Sequence, residues 1–95
     1  MCGISGVIGK GPAVVTSSMV ESMNEHIVHR GPDDGGSYID DELNVGFGHR
    51  RLSIIDLSQD GHQPFISTDE NLILIFNGEI YNYIEIKEKL SALGC

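Results

Sequence analysis

The period of apolar and polar positions changes along the chain, and each change marks an element. Residues Gly3–Gly9 alternate small or polar with apolar side chains, which predicts a strand opening directly after Cys2. Its glycines weaken it as a strand but let neighbouring backbone approach closely. Lys10-Gly11-Pro12 breaks it. Val20, Met23 and Ile27 then fall on one helical face, with Thr16 or Ser17 able to cap a helix that runs to about Val28. His29 through Gly36 reads as turn chemistry, because Gly-Pro is followed by Asp-Asp-Gly-Gly. Ser37–Asp40 and Asn44–Arg51 return to period two and form a hairpin around Asp41-Glu42-Leu43. Leu52–Leu57 leads into a loop through Gly61-His62-Gln63-Pro64. Leu72–Phe76 is a continuous β-branched and apolar run, predicted as a buried strand, and Asn77-Gly78 is a strong hairpin signal with Glu79-Ile80-Tyr81 continuing beyond it. Asn82 with Glu85 resembles a capping box opening a last helix, whose buried stripe is Ile86, Leu90 and Leu93, with Gly94 just past its end. The expected count is two helices and five or six strands.

Composition narrows the classes. The chain has 95 residues, one domain at most, and its 40% hydrophobic and 21% charged residues are those of a folded protein. The net charge of −8 argues against a nucleic-acid partner and against an anionic membrane surface. The run Leu72–Phe76 is far short of the ~20 residues that span a bilayer. No charged segment followed by an apolar stretch opens the chain, so no secretory signal is visible. Two cysteines, Cys2 and Cys95, leave a disulfide open but are not a secreted framework, so the expected setting is reducing and cytoplasmic.

The candidate chemistry starts at Cys2. Once Met1 is clipped, one residue carries a thiol and a free α-amine, and the amine can act as base for its own side chain, directly or through a water. A cysteine there also fits an ordinary strand start. Two further clusters give it meaning: Arg50-Arg51 and Asn77-Gly78-Glu79. For a free amino acid with a side-chain amide, the thiol attacks the amide carbon. An Asn NH₂ and the following Gly N–H face the developing oxyanion. An arginine clamps the α-carboxylate, and a glutamate receives the α-ammonium. Taken singly, Asn77-Gly78 is a plain turn, the arginines a solvated strand end, and Asp33-Asp34 a turn bonding its own backbone. His26, His29, His49 and His62 lack the Cys or carboxylate spacing of a zinc site, so no metal is expected.

Four stretches in register carry a resemblance. They are Cys2-Gly3-Ile4 with Gly6, and His29-Arg30-Gly31-Pro32-Asp33 with Gly35 or Gly36. Gly48 through Asp56, with Gln63-Pro64 after it, and Phe76 through Tyr83 complete the set. Together they resemble the N-terminal glutaminase domain of the class II glutamine amidotransferases, most closely that of glutamine-dependent asparagine synthetases. The resemblance implies an α+β fold, the Ntn-hydrolase αββα four-layer sandwich, present as its N-terminal part. It implies Cys2 as nucleophile, Asn77 and Gly78 as the oxyanion hole, and Arg51 rather than the more variable Arg50 as carboxylate clamp. Leu52, Ser53, Ile54 and Ile55 would line the glutamine pocket by their backbone, with Glu79 on the substrate amine.

In that family a further acidic residue, in a Ser-Asp-Thr/Cys-Glu motif beyond the last helix, binds the substrate ammonium. It would lie after Cys95, so the resemblance implies a piece of a longer protein. The expected partners are glutamine and a C-terminal synthetase domain that amidates aspartate through an aspartyl-adenylate. ATP and Mg²⁺ belong to that domain, and no cofactor belongs to these 95 residues. Two alternatives remain from sequence alone. The parent can be a related amidotransferase with another acceptor, such as a sugar phosphate. Or this chain is a non-catalytic structural piece that forms a homo-oligomer through an exposed sheet edge.

Overall fold

The computed structural model describes residues 2–53 and 59–95. Three antiparallel strands form the main sheet in the order β1-β3-β2, where β1 is Gly3–Ile8, β2 is Asp34–Asp40 and β3 is Val45–Arg51. Gly3 pairs with Arg50 and Asp34 with Arg51, so both outer strands bring one end to the same end of β3. Helix α1 (Ser17–His26) lies across one face. Thr16 caps it, its hydroxyl accepting from the Met19 N–H at 3.3 Å. The helix stops at His26, short of the expected Val28, and a 3₁₀ turn takes Val28–Arg30.

Small residues on β3 let the helix seat closely. A Cβ at Gly46 would lie 2.5 Å from a Val20 methyl, and one at Gly48 would overlap the Asn24 amide. Val15 and Val20 are the buried apolar side chains beneath α1. Asn44, in the left-handed region at φ 55°, closes the β2–β3 turn. Its side chain donates to the Ala13 carbonyl at 2.6 Å and accepts from the Val15 N–H at 2.8 Å.

After residue 58 the packing thins. A 3₁₀ turn (Gln59–Gly61) leads to a two-stranded ribbon of β4 (Phe65–Ile66) and β5 (Ile73–Leu74). Helix α2 (Tyr83–Ala92) follows and is exposed along its whole length.

Several expectations need correcting. Asp34, Gly35 and Gly36 are strand, because Gly36 serves a close approach across the sheet rather than a turn. The run Leu72–Phe76 pairs only at Ile73–Leu74, and Leu72, Leu74 and Phe76 are exposed, so it is no buried strand. Asn77-Gly78 is a bend without a hairpin, since no strand follows it. Asn82 stands at the N-cap of α2 but makes no side-chain capping bond, and Ile86, Leu90 and Leu93 are exposed. The described residues form a mixed α and β arrangement, a helix-covered sheet and a separate ribbon, and do not themselves stack into four layers.

Candidate active site

The sheet has one face under α1 and one facing away from it. Side chains at Gly46, Gly48 and Arg50 belong to the helix side. Phe47, His49 and Arg51 alternate to the other, together with the paired positions Asp34 and Gly36. This alternation separates the two arginines. Arg50 turns to the helix side, where its Nε donates to the Gly31 carbonyl at 2.8 Å. Arg51 is buried, 8% exposed, on the open face, with its guanidinium in the space a Cβ at Gly61 would need.

Cys2 stands at the start of β1, half-buried. Its Sγ accepts from the Leu52 N–H at 3.4 Å and lies 3.9 Å from the Leu52 carbonyl. Leu52-Ser53 is held from a second direction, because the Ser53 N–H donates to Asp33 Oδ2 at 2.8 Å and the Asp33 N–H to the Arg51 carbonyl at 3.0 Å. Asp33 therefore braces the segment after β3 rather than its own turn. Asp34 does bond locally, accepting from the Gly35 N–H at 2.9 Å, and also meets His62 Nδ1 at 2.6 Å. Burial pushes its carboxyl up, but the His62 and Gly35 bonds and the nearby His62 and Arg51 charges outweigh burial and hold it below its usual value.

Asn77 comes to this end of the sheet from the far side of the chain. Its Nδ2 donates to the Cys2 carbonyl at 3.0 Å, across 75 residues. That bond sets the sense of the amide, with the nitrogen towards Cys2 and a second N–H left over. Gly78 follows in the bend, where a Cβ would lie 2.9 Å from the Phe76 ring. Glu79 is exposed, and its side chain makes no hydrogen bond or ion pair with the described residues. Ile54 and Ile55, expected in the pocket, and Met1 lie outside the described residues.

Two residues of the matched stretches were given no role from sequence. His49 is 1% exposed, and its Nε2 has no partner among the described residues. Burial pushes its pKa below the ordinary imidazole value, opposed by the adjacent Phe76 carbonyl and the Asp34 charge. Gln63 grips the backbone of Phe76 at both ends. Its Oε1 accepts from the Phe76 N–H at 2.6 Å and its Nε2 donates to the Phe76 carbonyl at 3.0 Å. The available signal was that a primary amide matches the donor and acceptor of a peptide unit, but sequence does not show which peptide it meets. Among the described residues no group of three or more His, Cys, Asp or Glu is arranged to hold a metal ion. No helix among them is long and apolar enough to cross a membrane. Cys2 and Cys95 are both free.

Residues 1–95 match the family described as "Glutamine amidotransferase domain". The chain is 54% identical to asparagine synthetase [glutamine-hydrolyzing] 1 of Bacillus subtilis, over 99% of this chain and 15% of that protein. It is 44% identical to putative asparagine synthetase [glutamine-hydrolyzing] 2 of Methanocaldococcus jannaschii, over 96% of this chain and 21% of that protein. Amidase chry2 of Gibberella zeae is 40% identical over 96% of this chain and 15% of its own length. The chain thus spans only 15–21% of these relatives. No solved structure matches it.

Proposed function

The chain belongs to the glutamine amidotransferase domain family, and on that premise we propose that it hydrolyses the side-chain amide of glutamine through Cys2. With Met1 removed, the α-amine takes the thiol proton as sulfur attacks the amide carbon. The C–N bond breaks, the proton leaves with ammonia, and a γ-glutamyl thioester remains. Water then cleaves the thioester, releasing glutamate and restoring the thiol. Asn77's remaining N–H and the Gly78 N–H would face the oxyanion of both steps. Arg51 would clamp the α-carboxylate, the backbone of Leu52, Ser53, Ile54 and Ile55 would line the pocket, and Glu79 would receive the α-ammonium.

The observation that carries the reading is the 3.0 Å bond from the Asn77 amide to the Cys2 carbonyl, which ties an amide donor to the backbone of the half-buried cysteine. Residues 1–95 are read as part of an amidotransferase domain of the four-layer Ntn type. The ammonia is assigned to a synthetase domain of the parent protein that converts aspartate to asparagine with ATP and Mg²⁺, neither of which is assigned to this chain. A reducing, cytoplasmic setting keeps the thiol free. A second reading follows the Gibberella relative's name, amidase: the same cysteine step cleaves an amide without passing its nitrogen to aspartate.

The test is intact mass and turnover of the full-length protein. Loss of Met1 and a single adduct on Cys2 from diazo-oxo-norleucine are expected, and Cys2→Ala abolishes both adduct and glutamate release. Near-normal turnover by Cys2→Ala overturns the nucleophile. Labelled amide nitrogen appearing in asparagine, or failing to, separates the two readings.

A further inference from the structure

Phe76 is the residue immediately before the Asn77-Gly78 bend, beyond the end of β5 at Leu74, and among the described residues no strand pairs with its backbone. Gln63 supplies one. Its side-chain amide pairs with the Phe76 N–H and carbonyl at 2.6 and 3.0 Å, two bonds in the sense a neighbouring strand would make. Gln63 is itself pinned to the sheet. A Cβ at Gly36 would fall on the Gln63 carbonyl oxygen, so the loop rests on β2 where only glycine leaves room. Gly36 pairs with His49, whose buried ring also faces the Phe76 carbonyl. A line of contacts therefore runs from the sheet through Gln63 to Phe76, and from Phe76 through Asn77 to Cys2.

We propose that Gln63 is a positioning residue of the amide-cleaving site: its two bonds to Phe76 fix where the Asn77 amide and the Gly78 N–H stand relative to the Cys2 thiol. Donors at an oxyanion act by being held in place before charge develops. A bend carrying few packed side chains lacks that rigidity unless something outside it supplies the hold. The proposal rests on the reading of Asn77 as an oxyanion donor.

The experiment measures steady-state glutamine hydrolysis and iodoacetamide alkylation of Cys2 in the full-length protein. It compares Gln63→Ala, Asn77→Ala and the double variant. Gln63→Ala is expected to lower kcat by roughly tenfold to a hundredfold with KM within about threefold, since the lost effect is confined to the transition state. Alkylation, which needs no oxyanion donor, stays at the wild-type rate. The double variant is no slower than Asn77→Ala alone, because each change removes the same effect. Gln63→Glu keeps shape and acceptor but sets a carboxylate oxygen against the Phe76 carbonyl. Its kcat is expected to fall at least as far as that of Gln63→Ala, because the ionised carboxylate has no N–H to donate and repels that carbonyl. Multiplying losses in the double variant, or a Gln63→Glu kcat at the wild-type level, overturns the positioning role while leaving the Asn77 reading intact. Unimpaired Asn77→Ala overturns both.

Discussion

The two halves of the molecule are built to different standards. In residues 2–53 a helix seats on a three-stranded sheet and buries Val15 and Val20, while His49 and Arg51 are buried on the sheet's other face. Among the described residues from 59 onward none is buried, and α2 is exposed along its length. The candidate site nevertheless takes Cys2, Arg51 and Leu52 from the first half and Asn77 from the second. The thiol and the cation are thus set by a ladder of strand bonds, whereas the amide donor is delivered by a few side-chain hydrogen bonds. A precise site does not require both of its walls to be equally well packed, provided the weaker wall is tied at the residue that matters.

Cutting that tie has the largest expected effect. Asn77→Ala should lower kcat for glutamine by about 10²–10³-fold in the full-length protein. Hydrogen exchange of β1 and β3 should remain at the wild-type level, and lost protection there would mean the halves are not separable. Gly36→Ala comes next. It forces the Gln63 carbonyl off β2 and should cost roughly tenfold in kcat, less than losing the donor itself. A wild-type rate would show that the loop relaxes without moving Phe76.

Paired truncations sharpen the contrast in stability. Val20 is fully buried, and Val20→Ala should destabilise the 95-residue chain by roughly 2 kcal/mol in urea unfolding. Leu90 is 46% exposed, and Leu90→Ala should cost no more than about 0.5 kcal/mol. Equal costs would mean that α2 is covered in solution.

The smallest effect is on pH dependence. His49 has its pKa lowered by burial, so the folded chain favours the neutral ring and the unfolded chain binds the extra proton. Stability should therefore fall as pH drops through about pH 7 to about pH 5, and His49→Gln should flatten that slope. Asp34 acts elsewhere. Its carboxyl is held below its usual value, so its contribution is present above about pH 4 and is lost only as the pH falls further. A slope unchanged in His49→Gln would assign it to another group.

Legibility in the sequence followed the same division. The first half obeys local rules: alternation marked β1 and β3, and Thr16 capped α1 where a Thr before an apolar stripe should. Cys2, the Arg50-Arg51 pair and Asn77-Gly78 stood out by residue type, but only the sheet's two-residue period sends Arg51 to the face away from α1 and Arg50 to the helix side. Local rules failed where a distant partner overrode them. Asp34-Gly35-Gly36 has turn composition, yet Gly36 is small to admit Gln63. Asn77-Gly78 has hairpin composition, yet Asn77's side chain is engaged by Cys2. The apolar run Leu72–Phe76 has the composition of a buried strand, but the described residues offer it only a two-residue ribbon to pair with, and Leu72, Leu74 and Phe76 are exposed. Gln63 stood in a matched stretch, but its role was invisible because a polar residue before a proline looks like any loop until its partner is seen.

The separation of 75 residues between Asn77 and Cys2 also has a meaning in time. Cys2 leaves the ribosome before either partner: the pairing beside it, through Gly3, awaits Arg50, and the bond to its carbonyl awaits Asn77. Contacts this distant in sequence close late, after the loops between them have given up their freedom. Until residue 77 has been made, the nascent chain carries a bare thiol without the Asn77 amide beside its backbone. On the proposed roles, the order of assembly would keep the nucleophile idle until the segment that completes it has been made.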